Sequence, residues 1–261
     1  MDKIWQQLQS GLTDYCNQNG FSKVILGLSG GLDSAITAVL AADTLGGKNV
    51  TALMMKTKYT SELSLEIARE IAKLNHLNYQ ELDIEPLVVE QINFLKEAFN
   101  SEVKGIVKEN LQARLRGQIL MAYSNQMGGL VLACGNKSEI MTGYCTLYGD
   151  TCGGLAPIGS IYKTTIFELA KWRNAHNHVL PEEVISRAPS AELAVGQKDE
   201  NSLPPYPILD AILKQLVDEQ KTVAEIIANG FDVDMVEKVS ILVKRSAFKK
   251  NQMAPTLKIN I

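Results

Sequence analysis

Apolar residues in this chain follow two rhythms, and the alternation between them lays out the fold. Ile4, Leu8, Leu12 and Tyr15 recur at helical spacing until Gly20 interrupts them. Val24 to Leu28 is a short continuous apolar run, the pattern of a buried strand. From Ala35 to Leu45 the rhythm is helical again, with Ile36, Val39 and Leu40 facing inward, and Gly46-Gly47 ends it. Asn49 to Met55 reads as a second strand. Thr60 or Ser61 then caps a helix to about Leu77, its inner face made by Leu63, Ile67, Ile71 and Leu74. Asn78 to Ile84 is a third strand, and Pro86 suits the first turn of the helix after it. Strands that alternate with crossovers of this length pair in parallel. The expected fold is therefore α/β, a doubly wound parallel sheet with helices on both faces.

Beyond Pro86 the chain becomes more helical. Gly105 to Met127 forms one long helix, with Ile106, Leu111, Leu115, Ile119 and Met121 largely inward, stopped by Gly128-Gly129. Leu130 to Cys134 is a fourth buried strand, and Gly135 to Tyr162 is a glycine-rich loop region. The capping-box pattern Thr165-x-x-Glu168 opens a helix to about Asn174. Pro181 to Tyr206 is polar and proline-rich, a long loop of the kind used as a functional lid. Helices follow at 208–219, at 222–229 behind the capping box Thr222-x-x-Glu225, and at 232–250, before an extended tail. No linker separates them. The expected organisation is one domain over 1–261: an N-terminal helix (1–20), an α/β core (21–180), and a lid with C-terminal helices (181–261).

Composition narrows the class. With 261 residues, 46% apolar and 21% charged, the chain suits a globular protein with a large core. A net charge of −3 argues against broad nucleic-acid binding. Cys16, Cys134, Cys145 and Cys152 form no Cys-x-x-Cys, so neither a zinc site nor a dithiol is expected, and reduced thiols in the cytoplasm are. No signal peptide or membrane-length apolar run is read. His176-x-His178 has no evident third ligand, and a helix end is the simpler reading.

The first candidate site lies between the first strand and its helix: Gly27-Leu28-Ser29-Gly30-Gly31-Leu32-Asp33-Ser34. Glycines let backbone approach a ligand closely, and a helix start presents free N–H groups and partial positive charge, which together seat phosphate. The string lacks the Gly-Lys-Ser/Thr of a Walker A loop and is not Gly-x-Gly-x-x-Gly. It resembles the pyrophosphate loop (PP-loop) of ATP pyrophosphatases. The stretch from Gly135 to Asp150 leaves another strand end and carries Glu139 and Asp150. With Asp33, these carboxylates suit Mg²⁺ bridging a triphosphate. On pattern alone, a solvated first-turn Glu139 and a turn Asp150 remain equally good readings.

Longer motifs make the resemblance specific. Asn136-Lys-Ser-Glu139 followed by Gly143-Tyr-Cys-Thr-Leu-Tyr-Gly-Asp150 looks like the NAD synthetase family of PP-loop amidating enzymes. Gln112-Ala-Arg-Leu-Arg116, Pro189-Ser-Ala-Glu192 and Gln197-Lys-Asp-Glu-Asn-Ser-Leu-Pro-Pro-Tyr206 are similar to its helix and lid motifs, in the same order, from about Val24 to Pro255. The wording of Cys145 to Asp150 is closer to the synthetase domains of glutamine-dependent members, and no glutaminase domain is expected ahead of the first strand.

The resemblance implies amidation of nicotinate adenine dinucleotide (deamido-NAD) to NAD with ATP and ammonia, through an acyl-adenylate, releasing AMP and pyrophosphate. It implies that Gly27 to Ser34, Cys134, Lys163 and Ser190 contact ATP, and that Asp33 and Glu139 bind Mg²⁺. Arg114, Asp150 and Lys249 would contact the dinucleotide or place ammonia, with Arg116 packing or pairing on its helix. Asp33, Asp150 and Lys163 would form the catalytic set. A homodimer is implied too, with a separate glutaminase as an optional source of ammonia. Cys134 departs from a more usual threonine or serine, and Leu147 and Gly154 replace a lysine and an aspartate of the ammonia-dependent branch. Amidation of nicotinate mononucleotide, or another PP-loop adenylation, is the alternative.

Overall fold

The computed structural model describes residues 1–187, 192–194, 196, 199 and 202–259. Its centre is a four-stranded parallel sheet in the order β3-β2-β1-β4. The strands are β1 (Val24–Gly27), β2 (Val50–Lys56), β3 (Asn78–Asp83) and β4 (Leu130–Val131). Val24 aligns with Val50 on one side and with Leu130 on the other. Side chains alternate across β1. Val24 and Leu26 enter one apolar cluster with α1 (Asp2–Gln18), α2 (Leu32–Leu45), α3 (Glu62–Leu74) and α7 (Lys163–His176). Ile25 enters another, with Leu53, Met55, Val88, Leu115 and Leu120, beneath α4 (Glu85–Phe99) and α5 (Gly105–Met127). The sheet is thus covered on both faces, and the doubly wound expectation stands.

The remaining helices are α6 (Lys137–Thr142), α8 (Glu182–Ser186), α9 (Tyr206–Leu213), α10 (Val223–Ala228) and α11 (Val233–Lys250). A π-helical segment, Lys214–Asp218, continues α9. Tyr162, Leu203, Tyr206, Leu209, Ile212, Val236 and Val239 belong to a third apolar cluster that joins these C-terminal helices. No described helix is long and apolar enough to cross a membrane.

Several local expectations are corrected. The fourth strand is shorter than Leu130 to Cys134, because Leu132 forms only an isolated bridge to Leu155. The glycine-rich region contains α6, opened by a capping box between Asn136 and Glu139. Thr165-x-x-Glu168 is not a capping box: α7 already starts at Lys163, Thr165 is its buried third residue, and Tyr162 is the N-cap. Leu63 is exposed, since α3 turns Leu65 and Ala68 inward.

The long helix α5 has the expected bounds and part of the expected face, with Leu115 buried and Leu111 and Ile119 packed beside it. Ile106 and Met121 are exposed, while Gln112, Ala113 and Gly117 are buried. Close backbone approach decides this. A Cβ on Gly117 would lie 2.8 Å from the Tyr148 carbonyl oxygen, and one on Gly149 would lie 2.8 Å from the Ala113 Cβ. Gln112 tolerates burial because its amide accepts from the Thr57 hydroxyl at 3.3 Å and donates to the Leu193 carbonyl at 3.1 Å.

Candidate active site

The glycine loop leaves the carboxyl end of β1, where ligands of open α/β sheets bind. Gly30 has φ +80°, and a Cβ there would come within 2.4 Å of the Ser64 carbonyl oxygen, so both conformation and space require glycine. Two serines fix the loop from inside. The Ser34 hydroxyl donates to the Gly31 carbonyl at 3.0 Å and accepts from the Ser29 N–H at 3.2 Å. The Ser29 hydroxyl accepts from the Gly31 N–H at 3.3 Å. No side chain caps α2, which leaves its first-turn N–H groups to an anion.

A buried charge cluster stands beside this loop. Lys163, the first residue of α7, pairs with Asp33 in the first turn of α2. The Asp33 Oδ1 is buried and has no hydrogen-bond partner among the described residues. Glu139 joins from α6, its Oε2 accepting from the Asn136 N–H at 3.1 Å while its own N–H donates to the Asn136 Oδ1 at 3.0 Å. Burial first, and then the Asp33 charge, push the Glu139 carboxyl well above the usual carboxylate range. Burial works against the Lys163 ammonium, but Asp33 and Glu139 outweigh it and hold its pKa above the ordinary lysine value.

This is an environment short of positive charge, with one unpartnered carboxylate oxygen already aimed into it. It fits Mg²⁺, which takes one or two carboxylates and completes its shell with phosphate oxygens and water. Asp33 and Glu139 are the residues that would hold it. Among the described residues no group of three or more His, Cys, Asp or Glu forms a complete protein cage.

Asp199 was not singled out by the sequence. It is buried in the 197–206 motif, where it accepts from the Tyr206 hydroxyl at 2.8 Å and the Tyr144 hydroxyl at 3.3 Å. Its charge adds to the upward push on both Glu139 and Lys163. The motif marked the segment, but only the fold shows that Asp199 turns inward.

Cys134 sits at the same strand ends, its thiol 3.9 Å from the Gly27 and Leu132 carbonyl oxygens. Burial pushes that thiol up to about 12, so it stays a protonated, weak donor. Asp150 accepts from the Thr146 N–H at 2.7 Å. The residue keeps solvent access, yet the packing around its carboxyl pushes it up to about 6. Arg114 is exposed, donates from Nε to the Leu147 carbonyl at 3.2 Å, and lines a groove of about 340 Å³ with Phe94, Leu95, Leu111 and Gln118.

Arg116 turns the other way, onto the end of β2. Its Nε donates to the Met55 carbonyl at 3.1 Å, its Nη1 is buried without a partner among the described residues, and burial lowers the guanidinium to about 10. Lys249 donates to the Gly143 and Cys145 carbonyls at 2.8 and 2.7 Å, so its ammonium ties α11 to the loop after α6. Ser190 lies outside the described residues. Gly154 has a packing reason: a Cβ there would sit 2.4 Å from a Leu130 methyl carbon. His176 accepts or donates at Nδ1 to its own helix, 2.8 Å from the Trp172 carbonyl oxygen, and packs on the Trp172 ring.

A parallel α/β sheet with a glycine loop at the end of an inner strand, next to two half-buried carboxylates and a buried lysine, defines a phosphate-binding protein of the PP-loop class. The NAD synthase family model matches residues 4–253, and the chain belongs to that family. A glutamine-dependent NAD(+) synthetase of Xanthomonas campestris pv. campestris (strain 8004) is 48% identical over 263 residues, covering 100% of this chain and 48% of its own length. The chain spans about half the length of the curated relatives it matches. Among solved structures, an NH3-dependent NAD synthetase from Campylobacter jejuni subsp. jejuni NCTC 11168 is 28% identical with a TM-score of 0.76, over 98% of both chains. An NMN synthetase from Francisella tularensis is 26% identical with a TM-score of 0.80, over 100% of this chain and 97% of its own.

Proposed function

We propose that this chain amidates deamido-NAD to NAD with ATP and ammonia, by way of an acyl-adenylate. The Asp33–Lys163–Glu139 cluster at the mouth of the glycine loop carries this reading. A carboxylate is a poor acceptor for ammonia, and ATP corrects that. The nicotinate carboxylate oxygen attacks the α-phosphorus, the bond to the bridging oxygen breaks, and pyrophosphate departs. Ammonia then attacks the activated carbonyl, gives up a proton, and expels AMP.

The loop from Gly27 to Ser34 receives the triphosphate on backbone N–H groups that need no reorganisation. Lys163 exchanges its Asp33 partner for phosphate oxygens and stabilises the leaving charge. Asp33 and Glu139 are the residues that would hold Mg²⁺, and the ion would supply positive charge to offset that of the departing pyrophosphate. Asp150 and Arg114 lie toward the substrate side, where we assign them to placing ammonia and the dinucleotide. No enzyme nucleophile is required.

A homodimer fits the same picture. The face formed by α4 and α5 exposes Leu87, Phe94, Phe99, Ile106 and Met121, an apolar surface that a second copy would cover. Arg114 stands in the groove of that face, which supports a dinucleotide bound near such an interface. The nitrogen nucleophile at the adenylate is ammonia whether it arrives free or from a glutaminase.

The second reading is amidation of nicotinate mononucleotide, favoured by the likeness to the Francisella enzyme. Mass spectrometry of products formed from the two nicotinate substrates, with ATP, Mg²⁺ and either ammonia or glutamine, decides both points. NAD from the dinucleotide with ammonia is the expected result. Turnover of the mononucleotide alone overturns it.

A further inference from the structure

Glu139 and Lys163 come from two short-range neighbours in space, α6 and α7, that are far apart in sequence. Something must set their spacing, and the hydrogen bonds identify it. Asp210, on α9, is buried at 1% exposure. Its Oδ2 accepts from the Thr164 N–H at 2.8 Å, in the first turn of α7. Its Oδ1 accepts from the Ser138 hydroxyl at 2.5 Å, in the first turn of α6. The Ser138 oxygen in turn accepts from the Lys163 N–H at 3.0 Å. Ser138 is itself fully buried.

One carboxylate therefore holds the helix starts that carry both charged residues, each within one residue of the atom it binds. A second carboxylate repeats the arrangement nearby. Asp218, just past α9, accepts from the Lys137 ammonium at 2.6 Å and the Tyr162 hydroxyl at 2.9 Å. Lys137 and Tyr162 are the residues directly before Ser138 and Lys163. The C-terminal helices thus grip the same two chain segments twice.

We propose that Asp210 and Ser138 are positioning residues: they form a buried clamp through which the C-terminal helices set the Glu139–Lys163 geometry for Mg²⁺–ATP. The proposal rests on the functional reading above. Asp210 is never in contact with substrate in this scheme. It acts on the backbone N–H of α7 and on Ser138, and through them on the charged pair. Charged hydrogen bonds to buried backbone donors are short and strong, which suits them to fix a helix origin.

The test compares Ser138→Ala, Asp210→Asn and the double variant with wild type. Because Ser138→Ala removes one hydroxyl and no charge, it keeps the fold, checked by a melting temperature within a few degrees of wild type. Expected is a fall in kcat of about tenfold or more in each single variant, the range of a misplaced catalytic group. KM for the dinucleotide stays within about twofold, since the Arg114 side is untouched. The double variant loses no more than the worse single one, as groups acting as one unit do. Wild-type kcat in Ser138→Ala, a dinucleotide KM that rises in step with the loss, or additive losses each overturn the clamp. Calorimetric binding of Mg²⁺–ATP separates the two readings without turnover. A weakening of about fivefold in Ser138→Ala supports the clamp, and unchanged binding overturns it. A wild type that binds Mg²⁺–ATP but forms no amide overturns the functional reading and leaves the clamp to the binding result.

Discussion

Two regions of this molecule handle charge and apolar surface in opposite ways. Around Asp33, Glu139 and Lys163, charged groups are buried or half-buried, Lys163 pairing with Asp33 and Glu139 bonding to backbone. On the α4–α5 face around Arg114, apolar residues lie open, with Phe94 at 69% and Ile106 at 59% exposure. The first region is largely built: Lys163 already neutralises part of the carboxylate charge, and among the described residues the Asp33 Oδ1 and the Asn136 Nδ2 lack hydrogen-bond partners. The second is unfinished and asks for cover. On the function proposed above, the difference teaches that the phosphate side would be preorganised within one chain, whereas the substrate side would be completed by what binds there. Removing a group from the first region should therefore damage chemistry, and removing one from the second should damage affinity.

The sharpest way to break this comparison is Asp33→Asn. The variant puts a carboxamide of the same shape in place of the carboxylate and leaves Lys163 near Glu139 and Asp199, so the fold survives and the melting temperature moves by only a few degrees. Turnover should fall by about 10³-fold, roughly 4 kcal/mol of transition-state stabilisation. Pyrophosphate release at saturating ATP, Mg²⁺, deamido-NAD and ammonia measures it. A variant within tenfold of wild type removes Asp33 from the chemical centre.

Arg114→Ala addresses the other region. Among the described residues its guanidinium holds the Leu147 carbonyl, and it faces an open groove, so its loss should raise KM for the dinucleotide by about 30-fold, roughly 2 kcal/mol, with kcat nearly unchanged. KM for ATP should stay within twofold. If kcat falls instead while the dinucleotide KM holds, the division between a chemical region and an affinity region is wrong.

The phosphate side was largely legible in the sequence, and the reason is physical. A glycine that must have φ +80° under a neighbouring carbonyl admits no other residue, so Gly30 writes itself into the chain. The apolar rhythm likewise placed β1 and α2, because their residues are buried on nearly every side. Where burial is set by backbone contact and not by side-chain hydrophobicity, the rhythm misleads. Gln112 and Gly117 are inside α5's face and Ile106 is outside it. The capping box at Asn136 and Glu139 was a readable signal that the glycine-rich wording around it obscured. Asp199 and Asp210 left no signal of either kind. An acidic residue in a polar lid, or on a helix, becomes meaningful only when the chain folds back on Tyr206 or on Thr164.

The smallest expected effect reads the charge shortage of the first region directly, in the metal-free protein. Glu139 is held well above the ordinary carboxylate value of 4.5 by burial and by Asp33. In the unfolded chain it ionises near that ordinary value, so above it the native state binds more protons than the unfolded one. The stability linked to its proton is complete below about 4.5 and is lost as pH rises through the higher native value. Asp150, held at about 6, acts with the same sign. Glu139→Gln cannot titrate, so its melting temperature should decline less with rising pH. At the alkaline end it should exceed wild type by about 2–4 °C, the shift that roughly 1 kcal/mol produces in a chain of this size. Adding Mg²⁺ and ATP should reverse the order, raising the wild type and leaving Glu139→Gln almost unmoved, because the residue that destabilises the empty site is the one that holds the cation. Parallel melting profiles for the two proteins across pH would show that Glu139 is not the carboxylate in which the charge shortage resides.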